Sequence, residues 1–413
     1  MTAAVGARVS DPGLRRALAL SSGGTAAARL TGALGGVLAA RLLGPAGRGQ
    51  LAVLMFVAIA VSMAAAAGIQ FWVAREVARD EGVRSVERVV RVHIGAIVVV
   101  VPLVGLAAAT GIADLASAGT AAVAATLAVA TTAAVSLVLL ALPNGLRAMG
   151  VVATATVAAG GVYVCGTAIL LVADERSVVL VLCAAAAGNL VACGIAGAWA
   201  HRAPRGADSG LSTHATYGRA LAFSWAGGAG ELVLLAMLRV DVLIVAAFLP
   251  LCDVGLYAVA TALAEVLWIV PDGVAQVVLP TAARRPDHAP TRRLLRGASV
   301  VTAAAGVVLV VVARPAIDLV FGPAFAGAVD AVPLLAVASI AGGVWKIVGA
   351  EIVARGTTKP RLTSACLGLV VMVLVDLVAI PALGIAGAAL GSACGYGVAA
   401  AAVYRVWRAA APR

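Results

Sequence analysis

Charge is scarce in this chain. Only 12% of its 413 residues are Asp, Glu, Lys or Arg, about half the share usual in a soluble domain. Aromatic residues are scarcer still, at 4%, and Lys346 and Lys359 are the only lysines among 30 basic residues. Apolar residues take their place, at 62% of the chain with a mean hydropathy of +1.06. A water-soluble core cannot bury so much apolar side chain, so the composition excludes a soluble globular domain and implies many membrane spans. The preference for Arg over Lys, beside abundant Ala, Val and Gly, is what GC-rich coding produces. It calls for no special role for guanidinium.

Other absences narrow the function. No G-x-x-x-x-G-K-[ST] occurs, so the chain does not hydrolyse ATP by a P-loop. Cys165, Cys183, Cys193, Cys252, Cys366 and Cys394 sit in or beside apolar runs without a CxxC pair, which indicates small buried hydrophobes and neither a metal knuckle nor a disulfide framework. His93, His201, His214 and His288 show no metal-ligand spacing. The net charge of +11 is scattered among short segments with no basic domain and no aromatic interleaving, so no nucleic-acid partner is expected. The N-terminus MTAAVGARVSDPGLRRALAL places basic residues before an apolar run. That run carries Arg29 and continues to Leu43, too long and too charged for a signal peptide. We read it as a retained first span.

A hydrocarbon core of about 30 Å needs about 20 helical residues. With charged and Pro/Gly breaks as boundaries, twelve spans are expected at 17–43, 50–74, 90–113, 118–142, 150–172, 178–200, 217–249, 252–283, 295–321, 327–354, 361–381 and 384–406. With both termini placed in the cytoplasm, 23 of the 30 basic residues fall on cytoplasmic segments or the span ends beside them. Only Arg41, Arg48 and Arg176 lie opposite, and Arg29, Arg239, Arg314 and Lys346 lie within spans. That asymmetry is the positive-inside bias of a multi-pass plasma-membrane protein with both ends inside. The outward connections LGPAGRGQ, ADLASAG, VADERS, LPLCDV, FGPAFAG and PALGIAG are short. They leave no room for the domain that a membrane glycosyltransferase, ligase or polymerase needs, so no enzyme is expected.

The inward segment 201–219 divides six spans from six, giving expected halves at 1–205 and 206–413. ARLLGPAGRGQLAVL (40–54) and AAFLPLCDVGLYAVA (246–260) each place a Pro in the turn and a Gly before the next helix, at Gly49 and Gly255, 206 residues apart. Six spans per copy make the halves parallel, related by an axis along the membrane normal. The expected fold is therefore all-α and integral to the membrane, with two parallel six-helix bundles around a central cavity.

ARLLGPAGRGQLAVL, RVDVLIVAAFLPLCDVGLYAVATALAEVLWIVPDGVAQVVLP, VFGPAFAGAVDAVPLLA and IPALGIAGAALGSACGYG resemble, in that order, segments of polysaccharide-biosynthesis flippases. These form a branch of the multidrug/oligosaccharidyl-lipid/polysaccharide exporter superfamily. The likeness covers spans 1–2 and 7–12. It implies a protein that moves an undecaprenyl-diphosphate-linked oligosaccharide from the inner to the outer leaflet by alternating access. The implied partners are that lipid, the surrounding membrane lipids and other membrane proteins of polysaccharide synthesis. No cofactor is implied, with Na⁺ or H⁺ as candidate coupling ions.

Ionisable groups within spans cost about 2.5–3.5 kcal/mol on insertion scales and face partners or water. Arg239 and Asp241 are two apart, roughly 200° around a helix, so they cannot pair with each other. Arg29, Arg239 and Lys346 are the candidate phosphate contacts, since a guanidinium stays protonated and binds phosphate at more than one point. Asp241, Glu231, Glu265 and Asp272 are candidate coupling-ion ligands or ion-pair partners. Glu265 and Asp272 share a helical face, beside Pro271, and either is as well suited to pairing with Arg239 or Lys346. Glu351 and Asp376 are weaker candidates, and Arg314 is expected at the interface. Gly387, Gly391 and Gly395 are expected to pack helices closely, while Trp225, Trp268 and Trp345 are expected in packing or at the interface. A cation-coupled multidrug exporter of the same fold, a lipid II flippase and a non-transporting scaffold are the rival functions.

Overall fold

The computed structural model describes residues 12–80, 82–204, 213–282 and 288–410, without the side chains of 12–26, 28–29, 80, 85, 213–216, 226 and 280. Among the described residues the chain is helical, with no strand. In order these are α1 (Pro12–Ala66), α2 (Ile69–Asp80), α3 (Arg84–Ala107), α4 (Ala109–Ala116), α5 (Thr120–Gly145), α6 (Met149–Val172) and α7 (Val178–Arg202). They continue as α8 (Thr213–Phe248), α9 (Leu251–Glu265), α10 (Ile269–Ala282), α11 (Ala289–Val320), α12 (Val332–Ala354), α13 (Lys359–Leu383) and α14 (Ile385–Ala409). Short 3₁₀ turns, Val266–Trp268 and Pro323–Ala331, precede α10 and α12.

Ten helical stretches among the described residues are long and apolar enough to cross a membrane. One of them, Leu30–Ala66, takes in parts of two expected spans, and α8 is not among the ten. The expected twelve-span arrangement is compatible with this set. Within α1, Gly44 (φ 67°, ψ −178°) breaks the helix immediately before Pro45. Glycine tolerates that left-handed φ, and Pro45 lacks the N–H a continuous helix would use.

The chain forms two compact units. Unit 1 runs to Leu43 and resumes over Leu54–Leu232, while unit 2 takes Gly44–Val53 and Val233 onward. The change-over thus falls inside α8, not in the 201–219 segment. In unit 1 the α1–α2 bend at Gly68 (φ 72°) lies so close to α8 that a Cβ there would sit 2.4 Å from the Ser224 carbonyl oxygen. His93 Nδ1 lies 3.0 Å from the Tyr217 hydroxyl.

Unit 2 contains two glycine seams. Gly49 and Gly255, the pair matched by the internal repeat, meet each other. A Cβ on Gly49 would lie 1.9 Å from the Leu251 carbonyl oxygen, and one on Gly255 would lie 1.9 Å from that of Pro45. Each glycine rests on the carbonyl four residues before its partner, as two helices crossing at their backbones require. The second seam joins α13 and α14, where Gly387 faces Ala379, Gly391 faces Asp376 and Met372, and Gly395 faces Gly368 and Met372. The four-residue glycine spacing is therefore a packing stripe, as expected. The core beside it gathers Met237, Val278, Trp345, Ile347, Met372, Tyr396 and Trp407.

Gly255→Ala must push two backbones apart, and an overpacked core loses about 1–3 kcal/mol. Gly397→Ala, on α14 with open space around it, is expected to hold or gain up to about 1 kcal/mol from helix propensity. Thermal unfolding in detergent checks this, and equal melting of the two variants would contradict the seam.

Candidate functional site

The site in unit 2 begins with a helix irregularity. α9 ends at Glu265, the backbone tightens into the 3₁₀ turn Val266–Trp268, and α10 starts with Pro271 in its first turn. Pro271 cannot donate to the carbonyl four residues back, which explains the irregular winding before it. Its ring packs on α12 where Gly343 leaves room, since a Cβ there would lie 2.8 Å from Pro271 Cγ. This arrangement turns Glu265, Trp268 and Asp272 toward neighbouring helices.

Both carboxylates meet cations. Arg239 Nη2 lies 2.5 Å from Glu265 Oε1, with each side chain a little under two-fifths exposed. Lys346 Nζ lies 2.9 Å from Asp272 Oδ1 in a more enclosed setting, 16% and 17% exposed. The same ammonium sits 3.9 Å above the Trp268 ring, a cation–π contact. An exposed ion pair contributes about 0–1 kcal/mol, whereas removing one partner of a buried pair costs about 3–5 kcal/mol. The two pairs therefore differ in kind. Arg239–Glu265 is open to solvent and weakly held, whereas Lys346–Asp272 is enclosed and more costly to break.

Beside Lys346 lies a cavity of about 110 Å³ lined by Leu234, Met237, Leu238, Trp345, Lys346, Arg361 and Tyr396. Arg361 enters from the first turn of α13, its guanidinium carbon 5.2 Å from the centroid of the Trp345 ring. Trp345 is itself held by its indole N–H, which donates to Ser364 Oγ at 3.0 Å. Gly349 makes space for the arginine stem, since a Cβ there would stand 3.2 Å from Arg361 Cδ. Tyr396 donates its hydroxyl to the Met237 carbonyl at 3.2 Å. The wall thus presents two cations on an otherwise apolar and aromatic surface, with no carboxylate among its lining residues.

A second constellation lies around α14. Asp241 is 4% exposed. Its Oδ2 accepts from Tyr257 at 2.5 Å and Ser392 at 3.1 Å, and its Oδ1 accepts from the Val242 N–H at 2.8 Å. Asp376 is fully buried, and neither of its oxygens has a hydrogen-bond partner among the described residues. A Cβ on Gly391 would overlap its Oδ1, so the carboxyl group occupies the space that residue 391 leaves empty. Two buried carboxyls therefore approach consecutive residues of α14, Gly391 and Ser392. Arg239 and Asp241 point apart, as their spacing requires.

The remaining expected residues are dispersed. Arg29 lies on α1, but its side chain is outside the described residues. Glu231 is half-buried in the unit 1 portion of α8, with no hydrogen bond or ion pair found among the described residues. Arg314 pairs with Asp318 at 3.0 Å in an exposed setting. Trp225 is exposed, whereas Trp268 and Trp345 frame the cation sites. Residue spacing did not bring forward Arg361, which reads as a loop-flanking charge, or Tyr396, Tyr257 and Ser392, which read as span interior. The signals present were Gly349 and Gly391, each of which leaves room for a charged side chain. Among the described residues no cluster of three His, Cys, Asp or Glu is arranged to hold a metal.

A family model described as polysaccharide biosynthesis protein matches residues 14–285. No curated protein sequence matches the chain. Among solved structures, the chain is similar to an inward-facing multidrug resistance MATE family transporter of the MOP superfamily. The TM-score is 0.75 at 14% identity, over 92% of this chain and 94% of that one. It is equally similar to the lipid II flippase MurJ in an inward closed conformation, with TM-score 0.75 and 14% identity over 94% and 87% of the two chains. A mutant of the Vibrio cholerae MATE transporter VcmN follows at TM-score 0.63 and 15% identity, over 96% of each chain. At these identities the likeness is one of fold.

The contrast between the two ion pairs is testable. Asp272→Asn is expected to lower stability by about 3–5 kcal/mol because it takes the counter-charge from an enclosed ammonium, and Glu265→Gln by under about 1 kcal/mol. Unfolding of the two variants in detergent measures both, and a larger loss for Glu265→Gln would overturn the assignment.

Proposed function

We propose, from the premise that this chain belongs to the polysaccharide biosynthesis protein family, that it carries an undecaprenyl-diphosphate-linked oligosaccharide from the inner to the outer leaflet by alternating access. The observation that carries this reading is the cavity wall, which holds Lys346 and Arg361 and no carboxylate. A diphosphate brings more negative charge than Asp272 and takes Lys346 from it. The fork of Arg361 binds a second phosphate oxygen, and Trp345 keeps that fork in place. Arg239, in an exchangeable pair one residue beyond Leu238, is a further phosphate contact in unit 2, and Arg29 in unit 1 remains a phosphate contact expected from the sequence alone. Leu234, Met237 and Leu238 offer an apolar wall to the first isoprene units. A cation-coupled drug exporter would favour carboxylates in that wall, so the charge of the cavity argues against this rival.

Transport against a gradient needs a coupling ion, and the buried carboxyls of Asp241 and Asp376 suit Na⁺ or H⁺. A fully buried carboxyl without a hydrogen-bond partner is expensive to keep and marks a functional position at membrane depth. Both termini are placed in the cytoplasm on the distribution of the basic residues.

In a leaflet-resolved assay of lipid-linked oligosaccharide, Lys346→Ala and Arg361→Ala are each expected to reduce outward transfer at least about tenfold with membrane insertion intact. Full transfer by both would remove the cavity from the cargo path. Asp376→Asn is expected to abolish the dependence of transfer on a Na⁺ or proton gradient, and retained dependence would return Asp376 to packing.

A further inference from the structure

Glu351 is held by several side chains at once, and the transport reading leaves it unused. It is fully buried on the last turns of α12. Its Oε1 receives Arg355 through Nε at 3.0 Å and Nη2 at 2.5 Å, and His288 Nδ1 lies 2.6 Å away. Its Oε2 accepts the Trp407 indole N–H at 2.7 Å. His288 packs edge-on against Trp407, with centroids 5.2 Å apart at 88°, and its Nε2 lies 3.4 Å from the Ala410 carbonyl. One carboxylate thereby ties together the start of α11, the end of α12 and the end of α14.

The end of α12 also governs where the cavity arginine enters. After Arg355 the chain turns through Gly356 (φ 88°), whose N–H donates to Val353 O at 3.0 Å, and α13 begins at Lys359. Arg361 lies two residues further on and folds back over Gly349 and Trp345 of α12. Lys346 lies five residues before Glu351 on the same helix, about 7.5 Å along its axis. This short turn is the covalent link between the clamp and Arg361.

We propose that Glu351 is a positioning residue for cargo binding: its clamp on His288, Arg355 and Trp407 fixes the α12–α13 turn and so aims Arg361 into the cavity. This rests on the reading that the cavity receives a prenyl diphosphate. The test uses the full purified chain in detergent, with farnesyl diphosphate as probe and farnesol as the uncharged control. Glu351→Gln keeps an acceptor for Trp407 but loses the charge that gathers Arg355 and His288. It is expected to weaken farnesyl diphosphate binding about tenfold and leave farnesol binding unchanged. On an Arg361→Ala background the same substitution is expected to change diphosphate binding less than about twofold, because it acts through the residue already removed.

Equal weakening of both probes, an equal effect on both backgrounds, or no effect would overturn the proposal. Trp407→Phe keeps an aromatic ring beside His288 and removes the N–H to Oε2 together with part of the indole's volume. It is expected to shift binding in the same direction by a smaller factor, and serves if Glu351→Gln does not accumulate. Unchanged binding there would then overturn the proposal. If Lys346→Ala and Arg361→Ala both leave farnesyl diphosphate binding intact, the cavity reading fails and takes this inference with it. If only the Glu351 and Trp407 variants are silent, the inference alone fails.

Discussion

A charge held at the depth of the hydrocarbon must be met by an opposite charge, by water or by cargo, since insertion scales set its cost at about 2.5–3.5 kcal/mol. Unit 2 is organised around that requirement. Arg239 meets Glu265, Lys346 meets Asp272 and the Trp268 ring, and Glu351 gathers Arg355 and His288. Asp376, by contrast, is fully buried and lacks a hydrogen-bond partner among the described residues. The differences in enclosure turn one requirement into several roles, from the exchangeable Arg239 pair to the locked Glu351 clamp.

Glycine makes this charge placement possible. Where α14 passes α13, Gly391 leaves the volume that the Asp376 carboxyl fills, and Gly349 leaves the volume that the Arg361 stem crosses. At Gly49 and Gly255 the same absence of a Cβ lets two backbones touch. Small residues thus serve two ends, close helix approach and room for a long polar side chain within a tightly packed interior.

Much of this was legible in the residues. The helical fold follows from hydropathy and length. The separation of Arg239 from Asp241 follows from helical angle, and the pairing of Glu265 and Asp272 with Arg239 and Lys346 was among the alternatives their shared face left open. The matched positions of Gly49 and Gly255 were visible as a repeat, but not their contact, because residues 206 apart in sequence meet only through packing. Arg361 was hidden for a related reason. Its sequence neighbours place it at a span edge, and only the turn after Arg355 folds it back over Trp345. Tyr257 and Ser392 carry no charge to mark them, so their convergence on Asp241 is a property of tertiary structure.

The proposed transport rests on Lys346 exchanging Asp272 for the phosphate of a prenyl diphosphate. A double-mutant cycle on Lys346 and Asp272, measured by unfolding with and without saturating farnesyl diphosphate, tests it directly. The account predicts a coupling of about 1–3 kcal/mol in the empty protein that falls toward zero when the ligand is bound. A coupling that is the same in both states, or absent from the empty protein, would contradict it.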